Sequence, residues 1–299
     1  MGIERNDRKE RVDEREYRFE QRQSGYDYDY PLPRQRKSIF RRLWLPICIV
    51  VLLLGIWSVA QNGLIVKHSE LPVRSFTLAN HGTLRFDGGA GNLRIHGEPG
   101  NSIVVHATSN VIGLQAPEIT EAQVSYSQDG NAVAIRSQDS SGLLGVRYID
   151  FDITVPTALD MDLEVGSGNI DISNLKGNLA IKTGSGNLQA RAINGQDAFS
   201  SGSGNIVVEQ GQVSGRTMLK SGSGNIRLDA ALDPSGSYEL STGSGNITLA
   251  LPANSSFHLN ASTDSGNLNN AFGSTDVGQG TRAALSVDSG SGNIILQRR

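Results

Sequence analysis

Residues able to perform acid–base, nucleophilic or metal chemistry are scattered along this chain and form no recognisable motif. None of the five histidines belongs to an H-E-x-x-H pair, so no zinc site is expected. Ser173 and Lys176 have an S-x-x-K spacing, but they stand in a strand-like context and we interpret the match as chance. The glycine-rich phrases match neither phosphate-binding pattern. The histidines are His68, His81, His96, His106 and His258.

Five acidic residues in the middle of the chain are the best candidates for holding a cation. A calcium-binding solenoid would carry aspartate at its turns in a G-G-x-G-x-D pattern, which this sequence lacks. Acids that alternate with apolar residues are typical of the outward face of a sheet, so we favour a role in solubility over weak ion binding. We predict no metal and no cofactor. The acids are Asp150, Asp152, Asp160, Asp162 and Glu164.

The charged residues further along the chain argue against an enzyme. A β-helix enzyme acting on polysaccharides needs clustered carboxylates, or basic residues beside metal-binding acids. Here the charges are sparse and differ from one repeat to the next. We therefore predict no catalytic activity, and a polysaccharide-active enzyme is the least favoured alternative. These charges are Lys182, Arg191, Glu209, Lys220, Arg227 and Asp229.

A short phrase, S-G-N followed by Ile or Leu and usually preceded by Gly, recurs seven times in the second half of the chain. Successive asparagines are 18, 18, 20, 21, 21 and 26 residues apart. A period near twenty residues is typical of one coil of a β-solenoid. Gly91-Asn92-Leu93 is a looser eighth copy. The seven pairs are Gly168-Asn169, Gly186-Asn187, Gly204-Asn205, Gly224-Asn225, Gly245-Asn246, Gly266-Asn267 and Gly292-Asn293.

Apolar and polar residues alternate on both sides of each repeated turn, which predicts two short strands per coil, each with one buried face. Coils of this kind stack as parallel sheets, and the strong preference for right-handed crossovers favours a right-handed β-helix. The predicted fold is therefore all-β, a single-stranded parallel β-helix. The apolar column that follows the asparagines is Ile170, Leu188, Ile206, Ile226, Ile247, Leu268 and Ile294, and Asn270 breaks the next apolar column.

The chemistry of the turn explains the repeated phrase. Glycine adopts positive φ without a steric clash, and asparagine tolerates the left-handed region and bonds to nearby backbone. Stacked asparagines can bond to one another as a ladder worth about 1 kcal/mol per rung, whereas an emptied isoleucine position costs roughly 2–5 kcal/mol. We expect the apolar columns to stabilise the solenoid and the Gly–Asn ladder to fix its register.

The end of the chain predicts an open sheet edge. The last strand, Ile294 to Leu296, stops three residues before the C-terminus and leaves no cap. An uncovered edge invites pairing, although Arg298 and Arg299 oppose it by charge. End-to-end self-association is therefore a hypothesis.

Residues 43–60 form an uncharged, nearly continuous apolar segment that is long enough, at about 27 Å as a helix, to cross a bilayer core of about 30 Å. Basic residues without acids precede it from Arg34 to Arg42, which places the N-terminus in the cytoplasm. We favour a retained single-pass anchor. A signal peptide cleaved after Ser58-Val59-Ala60 and a twin-arginine signal at Arg41-Arg42 stay open as alternatives.

The net charge has opposite signs on the two sides of this apolar segment. Residues 1–42 hold 12 basic and 9 acidic residues, a net of +3, and residues 61–299 hold 15 and 21, a net of −6. The acidic exported part is no electrostatic match for nucleic acid. The predicted domains are a charged, disordered cytoplasmic tail (1–42), the transmembrane helix (43–60), a linker (61–72) and a β-helix ectodomain (73–299) with regular coils from about residue 160. The one cysteine, Cys48, excludes an intrachain disulfide.

The chain resembles the DUF4097 family in the run from Ile153 to Pro156, in the stretch from Leu159 to Ile170, and in the serial phrases of Thr or Ser followed by G-S-G-N. The resemblance covers roughly residues 73–299. Members of that family are often labelled adhesins and are β-repeat proteins of the cell envelope. The resemblance implies a β-helix at the bacterial cell envelope, brings no catalytic residues with it, and includes relatives linked to envelope stress.

Two functional hypotheses follow. The first is a non-catalytic, adhesin-like or scaffolding protein of the bacterial cytoplasmic membrane, with its C-terminal domain periplasmic or extracellular. Its expected partners are the membrane, through one helix, and envelope proteins or glycans. The alternative is an envelope-stress sensor that signals through the cytoplasmic tail and its tyrosines Tyr26, Tyr28 and Tyr30.

Overall fold

The computed structural model of the protein describes residues 47–55, 57, 65–113, 123–138 and 145–299. Residues 47–55 form a helix inside the predicted membrane segment. Among the described residues, no helix combines the length and the apolarity that crossing a bilayer requires. The predictions for residues 1–42, and for the two ends of the 43–60 segment, lie outside the described residues. Trp57–Arg299 forms one compact unit.

From residue 65 onward the described chain consists of strands, which confirms the all-β prediction. The strands are β1 (Ile65–Glu70), β2 (Arg74–Thr77), β3 (Gly82–Ala90), β4 (Leu93–Glu98), β5 (Ser102–Gly113), β6 (Val124–Asp129), β7 (Ala132–Ser137), β8 (Gly145–Pro156), β9 (Leu159–Ser167), β10 (Ile170–Ser185), β11 (Leu188–Ser203), β12 (Ile206–Val213), β13 (Arg216–Ser223), β14 (Ile226–Leu232), β15 (Ser237–Ser244), β16 (Ile247–Leu251), β17 (Phe257–Ser265), β18 (Leu268–Asn270), β19 (Asp276–Val277), β20 (Ala283–Ser291) and β21 (Ile294–Arg298).

Parallel pairing stacks these strands as coils of a solenoid. We call each turn, with the strand on either side of it, a rung. The residue after each asparagine pairs with its counterpart on the next rung, so that Leu188 lies between Ile170 and Ile206, and Ile226 lies between Ile206 and Ile247. All five are at most 1% exposed. The predicted apolar column is therefore in register and sealed from water along these rungs. Its member Leu268 is the exception, because that side chain is 47% exposed on β18.

The last two rungs stack out of sequence order. The rung β20–β21 lies between β15–β16 and β17–β18, so that Ser291 pairs with Ser244 on one side and with Ser265 on the other. The packing explains this order. The rung β20–β21 offers an apolar interior, including Val287 and Leu296, to neighbours on both sides, whereas β17–β18 carries the polar Asn270 and occupies the end of the stack.

The predicted open edge at Ile294 to Leu296 is wrong, because β21 pairs with β16 on one side and with β18 on the other. The end of the stack is covered in part by Phe272. The Phe272 ring packs edge-on against Phe257 at a centroid distance of 5.1 Å, and the guanidinium carbon of Arg298 lies 5.1 Å from the centroid of the Phe272 ring. The hypothesis of end-to-end self-association thus loses the edge that motivated it.

The N-terminal part differs from a purely parallel helix. The rung β3–β4 stacks in parallel directly on the rung of Asn169, as its Gly91-Asn92 turn suggests. Beyond it, β1, β2 and β8 all pair antiparallel with β5, and β6 pairs antiparallel with β7. The β6–β7 hairpin follows from a two-residue Gly130-Asn131 loop, in which Gly130 has a φ of 58°.

Candidate functional site

The repeated asparagines form a continuous line of hydrogen bonds along the stack, which we call the Asn ladder. The backbone N–H of each asparagine donates to the side-chain Oδ1 of the asparagine on the neighbouring rung, as from Asn225 to Asn205 at 2.8 Å. The line follows the spatial order of the rungs and not the order of the sequence. Asn293 donates to Asn246 at 2.8 Å, and Asn267 donates to Asn293 at 2.9 Å. Asn187 is bonded in the same way to Asn169, with a distance of 3.2 Å.

The glycine before each asparagine lies against the backbone of the neighbouring rung. A Cβ atom on Gly186 would stand 1.9 Å from the carbonyl oxygen of Gly168, and one on Gly204 would stand 2.0 Å from that of Gly186. Gly186 also has a φ of 150°, a conformation that side chains rarely adopt. The same close approach recurs at every predicted pair: Gly168, Gly186, Gly204, Gly224, Gly245, Gly266 and Gly292.

The apolar column and the Asn ladder should differ in how much each stabilises the fold. We expect Ile206→Ala to lower the free energy of unfolding by roughly 2–5 kcal/mol, because it empties a fully buried position. Asn205→Ala removes one exposed hydrogen bond and should cost about 1 kcal/mol. Urea unfolding followed by circular dichroism measures both, and an equal or larger loss for Asn205→Ala would contradict the assignment.

The Asn ladder begins on an aspartate. Asn169 donates to Asn92, and Asn92 in turn donates its backbone N–H to Oδ1 of Asp150 at 2.7 Å. The second carboxylate oxygen of Asp150 accepts a hydrogen bond from Nδ2 of Asn110, also at 2.7 Å. From the sequence, Asp150 was predicted to be an outward-facing acid and a weak candidate for ion binding, and its place at the start of the Asn ladder was not predicted. The sequence does contain a pattern that indicates this place. Asp150-Phe151-x-Ile153 has the same arrangement of polar and apolar residues as Asn92-Leu93-x-Ile95, with Asp150 at the position of the asparagine.

A second polar line lies on the buried side of the turns. Ser221 donates to the carbonyl oxygen of Gly204 at 2.9 Å, and Thr242 donates to that of Gly224 at 2.8 Å. Both hydroxyls belong to side chains at most 5% exposed, and each bond joins neighbouring rungs. The same contact is made by Ser201, Thr263 and Ser289.

Removing one of these buried hydroxyls should destabilise the stack measurably. We expect Ser221→Ala to lower the free energy of unfolding by about 1 kcal/mol, because the carbonyl of Gly204 loses a donor where water does not replace it. The matched control is Ser223→Ala on the same strand, which is exposed and should change stability by less than about 0.5 kcal/mol. Equal effects of the two substitutions in urea unfolding would contradict the role of the hydroxyl line.

A polar groove of about 680 Å³ runs beside the first rungs of the Asn ladder. Its lining includes one outward-facing column with a side chain from each of five neighbouring strands, β5, β8, β4, β10 and β11. The Arg94 guanidinium lies 3.5 Å from the carboxylate of Asp152. Asp150 and Thr108 also line the groove. The five side chains of the column are His106, Asp152, Arg94, Asp171 and Gln189.

The candidate ion-binding acids are divided between separate strands. Asp150 and Asp152 lie on β8. Asp150 accepts a hydrogen bond from Asn92 of the Asn ladder, and Asp152 forms an ion pair with Arg94. Asp160, Asp162 and Glu164 lie on β9. Partial burial acts to raise the pKa of Asp160, but the backbone N–H of Asn178 and the ring of His81 outweigh it and hold that pKa below its usual value. Within the described residues no group of three or more His, Cys, Asp or Glu side chains could hold a metal ion.

The histidines are dispersed over the unit, each with a separate neighbour. His68 contacts Asn110, and His81 lies 3.2 Å from Asp160. Nδ1 of His96 lies 2.9 Å from the Ser173 hydroxyl, and Nδ1 of His258 lies 2.9 Å from Asp276. His106 lines the polar groove. Ser173 and Lys176 share strand β10.

One carboxyl group lies inside the solenoid. Asp197 is 1% exposed and occupies the inward column position that Leu179 fills on the neighbouring rung. Neither carboxyl oxygen has a hydrogen-bond partner within the described chain. Burial raises the pKa of Asp197 from 3.8 to about 8, so the group is mainly protonated at neutral pH. Asp197 was not among the residues predicted from the sequence, although its place two residues before the inward-facing Phe199 indicated an inward-facing side chain.

The family follows from a match to the whole of the regular stack. The model of the DUF4097 (Toastrack) family matches residues 134–297, from strand β7 to strand β21. This chain belongs to the DUF4097 family. The predicted resemblance is thereby confirmed. No curated protein matches the sequence of this DUF4097 member.

Solved structures also resemble this DUF4097 chain. A "putative cell adhesion protein" from Clostridium sporogenes is 15% identical, with a TM-score of 0.38, over 78% of this chain and 100% of its own. A "putative adhesin" from Bacteroides fragilis is 14% identical, with a TM-score of 0.39, over 76% of this chain and 97% of its own. A "putative lipid binding protein" from Parabacteroides distasonis is 12% identical, with a TM-score of 0.28, over 75% of this chain and 96% of its own.

Proposed function

We propose that this chain is a non-catalytic protein of the bacterial cell envelope that displays its β-helix outside the cytoplasmic membrane, in an adhesin-like or scaffolding role. The observation that carries the proposal is the division of the rungs within the stack into a sealed apolar interior and a polar outer face. Inward columns such as Ile172, Ala190 and Val208 are at most 1% exposed, while the turns present the Asn ladder to solvent. This arrangement presents a stable surface at regular spacing, which suits binding and display.

The proposed location rests on the segment before the β unit. Residues 43–60 supply an apolar anchor, and the basic residues from Arg34 to Arg42 favour retention of the N-terminal side in the cytoplasm. The β unit then lies on the periplasmic or extracellular side.

Labelling of single cysteines tests this topology. In a Cys48→Ser background, Ser223→Cys places a thiol on the exposed end of β13, and Ser24→Cys places one in the N-terminal tail. A maleimide that cannot cross the cytoplasmic membrane should label the first variant in spheroplasts and the second only after lysis. The reverse pattern would contradict the proposed topology.

Binding assays test the role itself. The purified full chain in detergent should retain envelope components from fractionated cells and should turn over none of them. Reproducible turnover of an envelope polymer would overturn the non-catalytic proposal. Deletion of residues 1–36 separates the sensor hypothesis from display, because a sensor would lose the envelope-stress transcription response while a display protein would keep its binding.

A further inference from the structure

The polar groove has hydrogen-bonding groups that the protein itself leaves unused. In the part of the chain that the structure describes, the Asp171 carboxylate and the Gln189 amide have no side-chain partner. The Arg94 side chain is 69% exposed and holds Asp152 only at 3.5 Å, so it too can reach a ligand. Asp150, by contrast, is fully engaged by Asn92 and Asn110. The groove therefore offers both donors and acceptors to a bound molecule.

These groups are concentrated at one part of a longer column. Pairing aligns Asp152, Arg94, Asp171 and Gln189 on consecutive strands, and His106 precedes them on β5. The same outward column continues through Val207 to Arg227, beyond the groove. The concavity thus coincides with the part of the column that is richest in hydrogen-bonding side chains.

The charge of the groove limits the class of ligand. One arginine and three aspartates line it, which leaves an excess of two formal negative charges among these four side chains. A phosphate-rich or carboxylate-rich ligand would be repelled. Hydroxyl and amide groups, in contrast, can donate to the carboxylates and accept from Arg94.

The spacing of the rungs favours a sugar chain over a peptide. Neighbouring strands are about 4.8 Å apart, whereas an extended peptide advances about 3.3 Å per residue and about 6.7 Å between side chains on one face. A peptide lying along the stack would therefore fall out of step with the rungs. A β-linked pyranose chain advances by a length comparable to one rung per ring, so that each ring lies opposite one rung and can bond to the side chain that this rung presents.

We propose that the polar groove binds a neutral, β-linked glycan whose hydroxyl or acetamido groups bond to Arg94, Asp171 and Gln189. This inference rests on the adhesin-like function proposed above and assigns it a ligand class and a site. The glycan lies across the rungs beside the Asn ladder, with about one ring per rung.

Titration calorimetry with the full chain in detergent tests the site. The neutral probe is the β-1,4-linked hexamer of N-acetylglucosamine, the anionic probe is hexagalacturonate, and the cationic peptide probe is hexalysine. The neutral hexamer should bind, and Arg94→Ala and Asp171→Ala should each weaken that binding by roughly tenfold or more. The matched control is Arg227→Ala, which removes the same side chain from the same column outside the groove and should leave the affinity within about twofold.

The remaining outcomes overturn the inference. Absence of binding by the neutral hexamer, preference for hexagalacturonate or hexalysine, or equal affinity of all variants would each reject the site. Thermal unfolding of the variants, compared with the unmodified chain, shows whether a lost affinity reflects the groove or the fold. Retention of envelope components by the full chain, despite failure of the hexamer, would reject this site and leave the proposed function in place.

Discussion

Asp197→Leu should make the protein markedly more stable at pH 8 and should hardly change its stability at pH 4. The carboxyl group lies in an inward column, between Leu179 on one rung and the buried Thr217 on the other. It is 1% exposed and has no hydrogen-bond partner within the described chain. A leucine at this position repeats the residue that Leu179 supplies on the neighbouring rung. We expect a gain of roughly 3–4 kcal/mol at pH 8, after some loss to tighter packing around the larger side chain.

The direction of the pH effect follows from the raised pKa. The unfolded chain loses the Asp197 proton near pH 3.8, whereas the folded protein retains it up to about pH 8. Between these values the folded state binds more protons, so rising pH favours unfolding. Asp197 therefore costs the least stability below pH 3.8, and this cost grows by on the order of 5 kcal/mol as the pH rises to 8.

Urea unfolding from pH 4 to pH 8, followed by circular dichroism, measures this prediction. The matched control is Asp162→Leu, the same replacement on the outward face of β9, which should change stability by less than about 0.5 kcal/mol at either pH. If Asp197→Leu leaves the pH dependence of unfolding unchanged, the carboxyl group is not held protonated in the interior.

Gly186→Ala should disrupt the middle of the stack. Its Cβ would stand 1.9 Å from the carbonyl oxygen of Gly168, and the backbone has a φ of 150° that alanine rarely adopts. Strain of about 1–3 kcal/mol adds to overpacking of about 1–3 kcal/mol, so we expect a loss of roughly 3–5 kcal/mol. A loss of this size is a large part of the total stability of a typical domain.

The control for this substitution separates strain from contact. Gly100→Ala introduces the same methyl group at a φ of 156°, but nothing lies within 4 Å of the added atom. It should therefore cost less than half as much as Gly186→Ala in thermal or urea unfolding. Equal losses would show that backbone conformation alone, and not the approach of neighbouring rungs, requires glycine at the turn.

The sequence was sufficient to predict the period, the inward columns and the turn, because each recurs at the same place in every coil. It did not predict the order of the last rungs. Every rung offers nearly the same residue types to its neighbours, so the residue columns alone do not determine the order in which the rungs stack. Asn270 was recognised as a break in its column, and its physical meaning is that its rung occupies the end of the stack.

The candidate site was predicted less completely than the fold. The Asn ladder follows from a repeat, but its first member is Asp150, which belongs to no repeated phrase. The polar groove depends on antiparallel pairing of β5 with β8, which brings His106 beside Asp152 although the two residues are 46 positions apart in the sequence. Asp197 replaces an apolar residue in a single rung. Each of these three features depends on pairing between distant segments or on a single exceptional residue. Such features do not repeat along the sequence, so the repeat pattern does not predict them.

The central claim is that the rungs stack as aligned parallel coils, with the C-terminal rung inserted before the end of the stack. Disulfide cross-linking in a Cys48→Ser background tests it directly, because paired residues on adjacent strands lie about 4.8 Å apart and residues two rungs apart lie about 10 Å apart. Oxidation should link the pair Ser244→Cys and Ser291→Cys, and the pair Ser265→Cys and Ser291→Cys, within one chain. The pair Ser244→Cys and Ser265→Cys should stay reduced. Efficient linkage of that last pair, with no linkage of Ser244→Cys to Ser291→Cys, would show that the rungs follow the order of the sequence and would contradict the account.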